Sequence, residues 1–140
     1  MLIGVVKEIK DRENRIALTP EGVARLAQHG HAVRIESGAG QGAGFSDSDF
    51  EAAGAHLSDT AGTWDTDMIL KVKEPQAVEY RYLKQNILFT FLHLAGVSAE
   101  LTRALLRAKT TAIAYETVED QDHRFPLLAP MSAIAGNMAV

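Results

Sequence analysis

Cysteine is absent from all 140 residues of the sequence. Disulfide bonds, thiol nucleophiles and thiolate metal sites are therefore excluded. An excess of positive charge is absent too, because 14 Lys and Arg stand against 18 Asp and Glu, for a formal net charge of −4. A domain that binds nucleic acid usually carries a strong basic footprint, so a nucleic-acid partner is not expected.

Long hydrophobic runs are also missing. The longest apolar stretch, Ile87 to Ala95, contains Thr90 and His93 and is far shorter than the ~20 residues of a membrane-spanning helix. The N-terminal apolar run ends at the charge pair Lys7-Glu8, which does not fit a secretory signal peptide. These features predict a cytoplasmic protein without a membrane partner.

Short apolar runs alternate with helical patterns along the chain, and no internal repeat is visible. Such alternation is typical of a parallel α/β sheet. We predict a Rossmann-like or flavodoxin-like parallel sheet with helices on both faces. The predicted strands are Leu2–Val6, Ala32–Glu36, Met68–Val72, Ile87–His93 and Thr111–Ala114, and the predicted helices are Pro20–Gly30 (capped by Thr19), Phe50–Ala53, Ser98–Lys109 and one that starts at Met131.

Ligands of open parallel sheets bind beyond the carboxyl ends of the strands. Arg15, in the loop after the first predicted strand, could grip a carboxylate with two parallel hydrogen bonds, although charged loops are more often simply solvated. Lys73, at the end of a strand, could neutralise a carboxylate or polarise a carbonyl, or it could merely reach water. His93, at the end of the most apolar strand, is suited to proton transfer near neutral pH, or it is a hydrogen-bonded core residue.

Two other patterns are weaker. The stretch Gly38–Gly44 matches a loose dinucleotide-binding fingerprint, but Phe45-Ser46-Asp47 separates it from the next helix. A phosphate cradle needs a helix to begin within the glycines, so we predict a flexible turn before a capped helix.

The five histidines show no metal-ligand spacing, so no metal site is expected.

Several blocks of sequence together resemble the N-terminal part of the alanine dehydrogenase and transhydrogenase family. They cover nearly the whole chain in the expected order. The blocks are Ile3–Glu8, Asn14–Pro20, Ser37–Gly40, Leu70–Pro75, Leu88–Ala95, Ala114–Thr117 and Pro130–Gly136. Because Lys73 and His93 are both present, the chain is more similar to the soluble dehydrogenase branch than to the transhydrogenase subunits.

The resemblance implies the reversible oxidative deamination of L-alanine to pyruvate and ammonia, with NAD as the cofactor. It implies catalytic roles for His93, as an acid/base residue, and for Lys73, which also binds the substrate. Arg15 is expected to bind the substrate carboxylate and Met131 to line the substrate pocket. Ser132 is expected to contact the cofactor.

The family's proteins are more than twice as long as this sequence. By resemblance, residues 1–130 form a substrate domain that lacks its C-terminal return segment, and residues 131–140 begin the helix toward a NAD-binding domain. We therefore expect the 140 residues alone to be inactive, and the family implies a homo-oligomer, a hexamer at full length. The alternatives are a standalone module that binds a small carboxylate or regulates a partner, and a fragment like a transhydrogenase alpha subunit.

Overall fold

A computed structural model describes residues 1–94, 96 and 99–138, and six parallel strands form its centre. The strands are β1 (Leu2–Val5), β2 (Ala32–Glu36), β3 (His56–Ser58), β4 (Met68–Leu70), β5 (Ile87–Thr90) and β6 (Thr111–Ala114). Their order across the sheet is β3-β2-β1-β4-β5-β6, and every pairing is parallel. This is the Rossmann strand order, so the predicted fold class is confirmed.

Within the described residues, five α-helices connect or follow the strands, and short 3₁₀ turns occupy some of the loops. The helices are α1 (Pro20–Gln28), α2 (Asp47–Ala52), α3 (Thr60–Trp64), α4 (Ala99–Ala108) and α5 (Ala129–Met138), and the 3₁₀ turns are Gln41–Ala43, Ala77–Tyr82 and Tyr115–Thr117. Local sequence explains the helix starts. Thr19 accepts the backbone N–H of Gly22 ahead of α1, and Ser46 forms a reciprocal capping box with Asp49 at the start of α2.

The helices cover two faces of the sheet and bury two cores. On one face α1 and α2 bring Val23 and Phe50 against the inward side chains of β1 and β2. On the other face Trp64 of α3 and Leu101 of α4 pack with Leu88 of β5. Strand β1 lies in the middle, since Ile3 is paired with Val33 on one side and with Met68 on the other.

The strand ends differ from the sequence predictions. Strands β1, β4 and β5 stop at Val5, Leu70 and Thr90, not at Val6, Val72 and His93. The apolar runs that predict these strands continue past the residues that pair in the sheet. Strand β3 and helix α3 were not predicted, since both are very short and lack a regular apolar period.

The helix boundaries shift slightly as well. Helix α2 begins three residues earlier than predicted, because its cap is Ser46. Helix α5 begins at Ala129, two residues before the predicted start. Ser98, Ala139 and Val140, which the predicted helices included, lie outside the described residues. No helix in the described part of the chain is both long and apolar enough to cross a membrane.

Candidate functional site

The strand order reverses between β1 and β4, and a crevice opens there beyond the carboxyl ends of the strands. Lys7 and Glu8 follow β1, Lys73 lies three residues beyond β4, and His93 lies three residues beyond β5. The topology therefore brings the polar residues that follow three strands to the same edge of the sheet.

A buried charge cluster holds this edge together. Nζ of Lys71 lies 2.9 Å from Oε1 of Glu79 and 3.4 Å from Oε2 of Glu8, and the Lys71 residue is 0 % exposed. A lysine buried without partners would be strongly disfavoured, so the two carboxylates account for its presence in the core. The cluster joins the loop after β1 to the segment that follows β4.

Glu8 also fixes the backbone that carries Lys73. The backbone N–H groups of Val72 and Lys73 donate to Oε1 of Glu8 at 2.6 and 3.4 Å. The hydroxyl of Thr90 donates to the carbonyl of Lys73 at 2.9 Å. Lys73 is thus held from β1 on one side and from β5 on the other, while its own side chain is only partly buried.

Burial shapes the acid–base properties of this region. It raises the pKa of Glu8, although the charge of Lys71 and the backbone hydrogen bonds act in the opposite direction. Burial also raises the pKa of Tyr115, and the nearby negative charge of Glu8 adds to that shift. The Tyr115 phenol is therefore neutral at physiological pH.

Arg15 is held by Glu13, two residues before it. Nε of Arg15 donates to Oε1 of Glu13 at 2.8 Å, and Nη2 donates to Oε2 at 2.6 Å. The hydrogen bonds from the Arg15 side chain lower the pKa of Glu13, and the charge of Lys73 contributes to the same lowering. Arg15, Glu13 and Lys73 therefore form one electrostatic group.

Arg15 and Met131 meet at a large cavity. Nη1 of Arg15 lies 3.2 Å from Sδ of Met131, and both residues line a cavity of about 770 Å³. The rest of its lining is almost entirely apolar, and includes Leu70 of β4, Phe89 of β5 and Phe91. The structure therefore places the guanidinium groups of Arg15 and Arg25 at a cavity that is otherwise lined mostly by hydrocarbon and aromatic groups.

The ring of His93 lies beside Phe91, which lines the cavity. Its ring stacks on Phe91, with the ring centroids 5.7 Å apart and the planes within 7°. Its backbone has φ +47°, in the left-handed region that residues other than glycine adopt uncommonly. The backbone N–H of His93 donates to Oε1 of Glu116 at 2.6 Å, which anchors the residue in that conformation.

The Glu116 carboxylate is a local backbone anchor. Burial acts to raise the pKa of Glu116, but hydrogen bonds from the backbone N–H groups of Glu116 itself, His93 and Leu92 outweigh it, and the net shift is downward. Glu116 is thus an anion that caps the turn carrying His93.

The predicted site residues are brought together to different degrees. Arg15 contacts Met131 directly. The charge of Lys73 interacts with Glu13, which is the ion-pair partner of Arg15. His93 stacks on Phe91, and Phe91 lines the cavity. Ser132 is the exception. Its side chain is exposed. Consecutive residues of a helix point ~100° apart, so the Ser132 side chain points in a different direction from that of Met131.

The glycine-rich loop is a packed turn. A Cβ atom on Gly42 would lie 2.9 Å from the carbonyl oxygen of Asn14, so this loop packs closely against the residue before Arg15. The backbone N–H of Gly38 donates to Asp47, and the start of α2 is already capped by its own side chains. The loop is therefore a turn before a capped helix, as the sequence predicts. It is close-packed, and the next helix begins at Asp47, outside the glycines, so the loop lacks the helix start that a pyrophosphate cradle needs.

Four charged residues of this region had no predicted role in the site: Glu8, Glu13, Lys71 and Glu116. The sequence does contain a signal for Lys71, because a lysine inside the apolar run Met68–Val72 requires a buried acidic partner. Lys71 and Lys73 do not lie on one side of an extended strand, because β4 ends at Leu70.

Comparison with known proteins gives a consistent result. The family described as "Alanine dehydrogenase/PNT, N-terminal domain" matches residues 4–135. Alanine dehydrogenase of Mycobacterium tuberculosis H37Rv is 54% identical over 142 residues, which cover 99% of this chain and 38% of that protein. Alanine dehydrogenase of Staphylococcus saprophyticus is 50% identical over 141 residues, with the same coverage. The chain thus spans well under half the length of the curated relatives it matches.

Solved structures show the same relationship. An L-alanine dehydrogenase superposes with a TM-score of 0.94 at 50% identity, over 100% of this chain and 39% of that one. The transhydrogenase from Sinorhizobium meliloti superposes with a TM-score of 0.78 at 31% identity, over 83% of this chain and 34% of that one.

Proposed function

This chain belongs to the alanine dehydrogenase and transhydrogenase family, as an N-terminal domain, and from that we propose that it is the substrate-binding domain of an NAD-dependent L-alanine dehydrogenase. The reaction converts L-alanine, NAD and water to pyruvate, ammonia and NADH, and it is reversible. We favour a dehydrogenase over a transhydrogenase because the chain is 50–54% identical to the alanine dehydrogenases and 31% identical to the transhydrogenase.

One observation carries the proposal, namely the contact between Arg15 and Met131 at the cavity of about 770 Å³. A guanidinium binds a carboxylate by two parallel hydrogen bonds, and an apolar wall accepts a methyl group. A small 2-oxo or 2-amino acid with a methyl side chain offers both features. Arg15 would hold its carboxylate, and Met131 would pack beside the rest of the molecule.

Lys73 and His93 supply the remaining polar groups. The ammonium of Lys73, held in place through Glu8 and Thr90, would bind the substrate and orient its carbonyl or imine. The imidazole of His93 would act as the acid/base group at the reacting carbon, because imidazole is the side chain best suited to proton transfer near neutral pH. Phe91, stacked on His93 and lining the cavity, would keep that ring at the cavity wall.

The glycine-rich loop does not fit the pyrophosphate of NAD. It contains the 3₁₀ turn Gln41–Ala43, and the next helix begins only at Asp47, so no helix starts within the glycines. We therefore assign cofactor binding and hydride transfer to the part of the longer relatives that this chain does not match. Ser132, next to Met131, remains the residue proposed to contact the cofactor from this side.

The proposal also includes a cytoplasmic homo-oligomer, a hexamer at full length. Exposed apolar side chains support association: Val78 is 66% exposed, Leu106 72% and Ile134 54%. Sedimentation of the chain would show a concentration-dependent assembly. A strictly monomeric chain at high concentration would argue against this part of the proposal.

The experiment that tests the proposed function is a chimera in which these 140 residues replace the matching portion of the mycobacterial relative. We expect the chimera to reduce pyruvate with ammonia and NADH. Arg15→Ala and Lys73→Ala should each raise KM for pyruvate by ~10-fold or more, because each removes a charged hydrogen-bond partner. Arg107→Ala, on the exposed side of α4, is the matched control and should leave KM unchanged.

A chimera that folds by circular dichroism but shows no alanine or pyruvate turnover would contradict the proposal. An unchanged pyruvate KM in both Arg15→Ala and Lys73→Ala would also contradict it, and would favour a different ligand for this domain.

A further inference from the structure

The guanidinium of Arg15 has two edges that can each hold a carboxylate, and Glu13 occupies one of them. The Nε and Nη2 atoms donate to the two oxygens of Glu13 at 2.8 and 2.6 Å. Nη1 makes no contact with Glu13 and lies instead 3.2 Å from Sδ of Met131, a weak acceptor. The edge formed by Nη1 and the second N–H of Nη2 therefore has donor capacity left over.

Glu13 is the fixed member of this pair. Its side chain is 8% exposed, against 46% for Arg15. Its Oε1 atom also accepts the backbone N–H of Arg15 at 3.0 Å, so the carboxylate is tied to the loop as well as to the side chain. A long flexible arginine side chain normally loses considerable rotamer freedom when it binds a ligand. Here that freedom is already removed by a buried partner.

We propose that Glu13 is a positioning residue of the substrate site: it holds Arg15 by the Nε edge, so that the Nη1 edge is presented to the substrate carboxylate beside Met131. This inference rests on the proposed function, because it assigns the carboxylate site to Arg15. Glu13 does not touch the substrate and acts only through Arg15.

The charge of Lys73 favours the same arrangement. Lys73 contributes to lowering the pKa of Glu13, so Glu13 remains an anion at the pH at which the site works. The positive charges of Arg15 and Lys73 exceed the single negative charge of Glu13, so the group remains net positive and attracts an anionic substrate. A different arrangement, in which Glu13 competes with the substrate for Arg15, predicts the opposite effect when Glu13 is removed.

The test is a double-mutant cycle in the chimera, with Glu13→Gln, Arg15→Ala and the double variant. Glu13→Gln keeps the shape of the side chain but removes its charge and one acceptor. We expect it to raise KM for pyruvate and for alanine by ~5- to 10-fold, with kcat within about twofold, because the loss is in binding. In the Arg15→Ala background the same change should have no effect on KM, since the residue through which it acts is gone.

Two further variants complete the design. Glu51→Gln, at an exposed position of α2, removes the same charge elsewhere and should leave KM unchanged. Glu13→Asp keeps the charge but is one methylene shorter, and its KM should lie between those of the wild type and Glu13→Gln. Circular dichroism melting of each variant separates a loss of folding from a loss of positioning.

The outcomes are distinguishable from one another. A pyruvate KM that is unchanged in Glu13→Gln overturns the inference, and a KM that falls shows that Glu13 is an internal competitor. An equal effect of Glu13→Gln with and without Arg15 shows a general structural role and also overturns it. If Arg15→Ala itself leaves KM unchanged, the carboxylate site is not at Arg15 and the inference is overturned. If Lys73→Ala also leaves KM unchanged, the proposed function fails.

Discussion

The ammonium of Lys71 lies 2.9 Å from Oε1 of Glu79, and both side chains are almost completely shielded from solvent. The carboxylate of Glu8 approaches the same ammonium from the loop after β1. Charges buried this deeply are tolerated only while each has its partners, because desolvation costs several kcal/mol per ion. The cluster therefore couples the loop after β1, the segment after β4 and the turn Ala77–Tyr82.

Replacing Lys71 by methionine tests that coupling. Lys71→Met leaves two buried carboxylates without their cation, so we expect a loss of about 3–5 kcal/mol in the free energy of unfolding. The measurement is urea denaturation followed by circular dichroism. Lys84→Met is the control, because Lys84 pairs with the exposed Asp65, and an exposed ion pair contributes little to stability, so this substitution should cost much less than Lys71→Met. Equal losses of unfolding free energy in the two variants would show that the buried cluster stabilises the fold no more than an exposed ion pair does.

Gly42 is needed for the close approach of the glycine-rich loop to Asn14. In Gly42→Ala the new methyl would lie 2.9 Å from the Asn14 carbonyl oxygen and 3.1 Å from its Cα. We expect a loss of about 1–3 kcal/mol in stability, and a raised KM for pyruvate in the chimera because the loop that carries Arg15 is displaced. Gly136→Ala meets no atom within 4 Å and should stabilise α5 by up to about 1 kcal/mol. Identical melting temperatures for wild type and Gly42→Ala would disprove the close approach.

Glu116 makes stability depend on acid pH. Its pKa in the folded state is lowered from the ordinary 4.5, so the unfolded state takes up the proton first as the pH falls. The stabilisation from Glu116 is complete well above pH 4.5, begins to decline near that value and is lost below the lowered pKa.

Glu116→Gln isolates this contribution. The variant should be less stable than the wild type near pH 7, and its stability should fall less steeply through the acid range. Stability curves at a series of pH values provide the measurement. Parallel curves for the two proteins would mean that Glu116 does not carry a lowered pKa.

His93 combines a strained backbone with a proposed chemical role, and one substitution separates the two. His93 has φ +47°, and asparagine is the residue that, after glycine, most often takes the left-handed conformation, so His93→Asn should keep or slightly raise stability. In the chimera it should lower kcat by about 10²- to 10⁴-fold, as expected for loss of an acid/base group.

His123→Asn is the matched control for that experiment. His123 also has a positive φ, +57°, and it is exposed in a loop away from the strand ends. The change should leave kcat within about twofold of the wild type. A similar fall in kcat for both variants would remove His93 from its proposed role.

Much of the sheet could be predicted because its central strands are continuous apolar runs. Such runs identify strands that are buried on both faces, as β1 and β4 are. Strand β3 could not be found in this way, since its three residues His56–Ser58 contain one apolar side chain and lie toward the edge of the sheet. Its pairing with β2 is a tertiary effect that local sequence does not encode.

The candidate site was predictable only in part. The rule that ligands bind beyond the strand ends singled out Arg15, Lys73 and His93 from the pattern alone. The contact of Arg15 with Met131 was not visible in the pattern, because it joins residues that are 116 positions apart. Glu8 and Lys71 are also far apart along the chain, so no local sequence period connects them.

Sequence separation distinguishes the two partners of Arg15. Glu13 lies two residues before Arg15, whereas Met131 follows 116 positions later. Because the entropy cost of closing a loop grows with its length, the contact with Met131 carries the larger cost of the two. A change that weakens α5 is therefore expected to separate Met131 from Arg15 while Arg15 stays on Glu13.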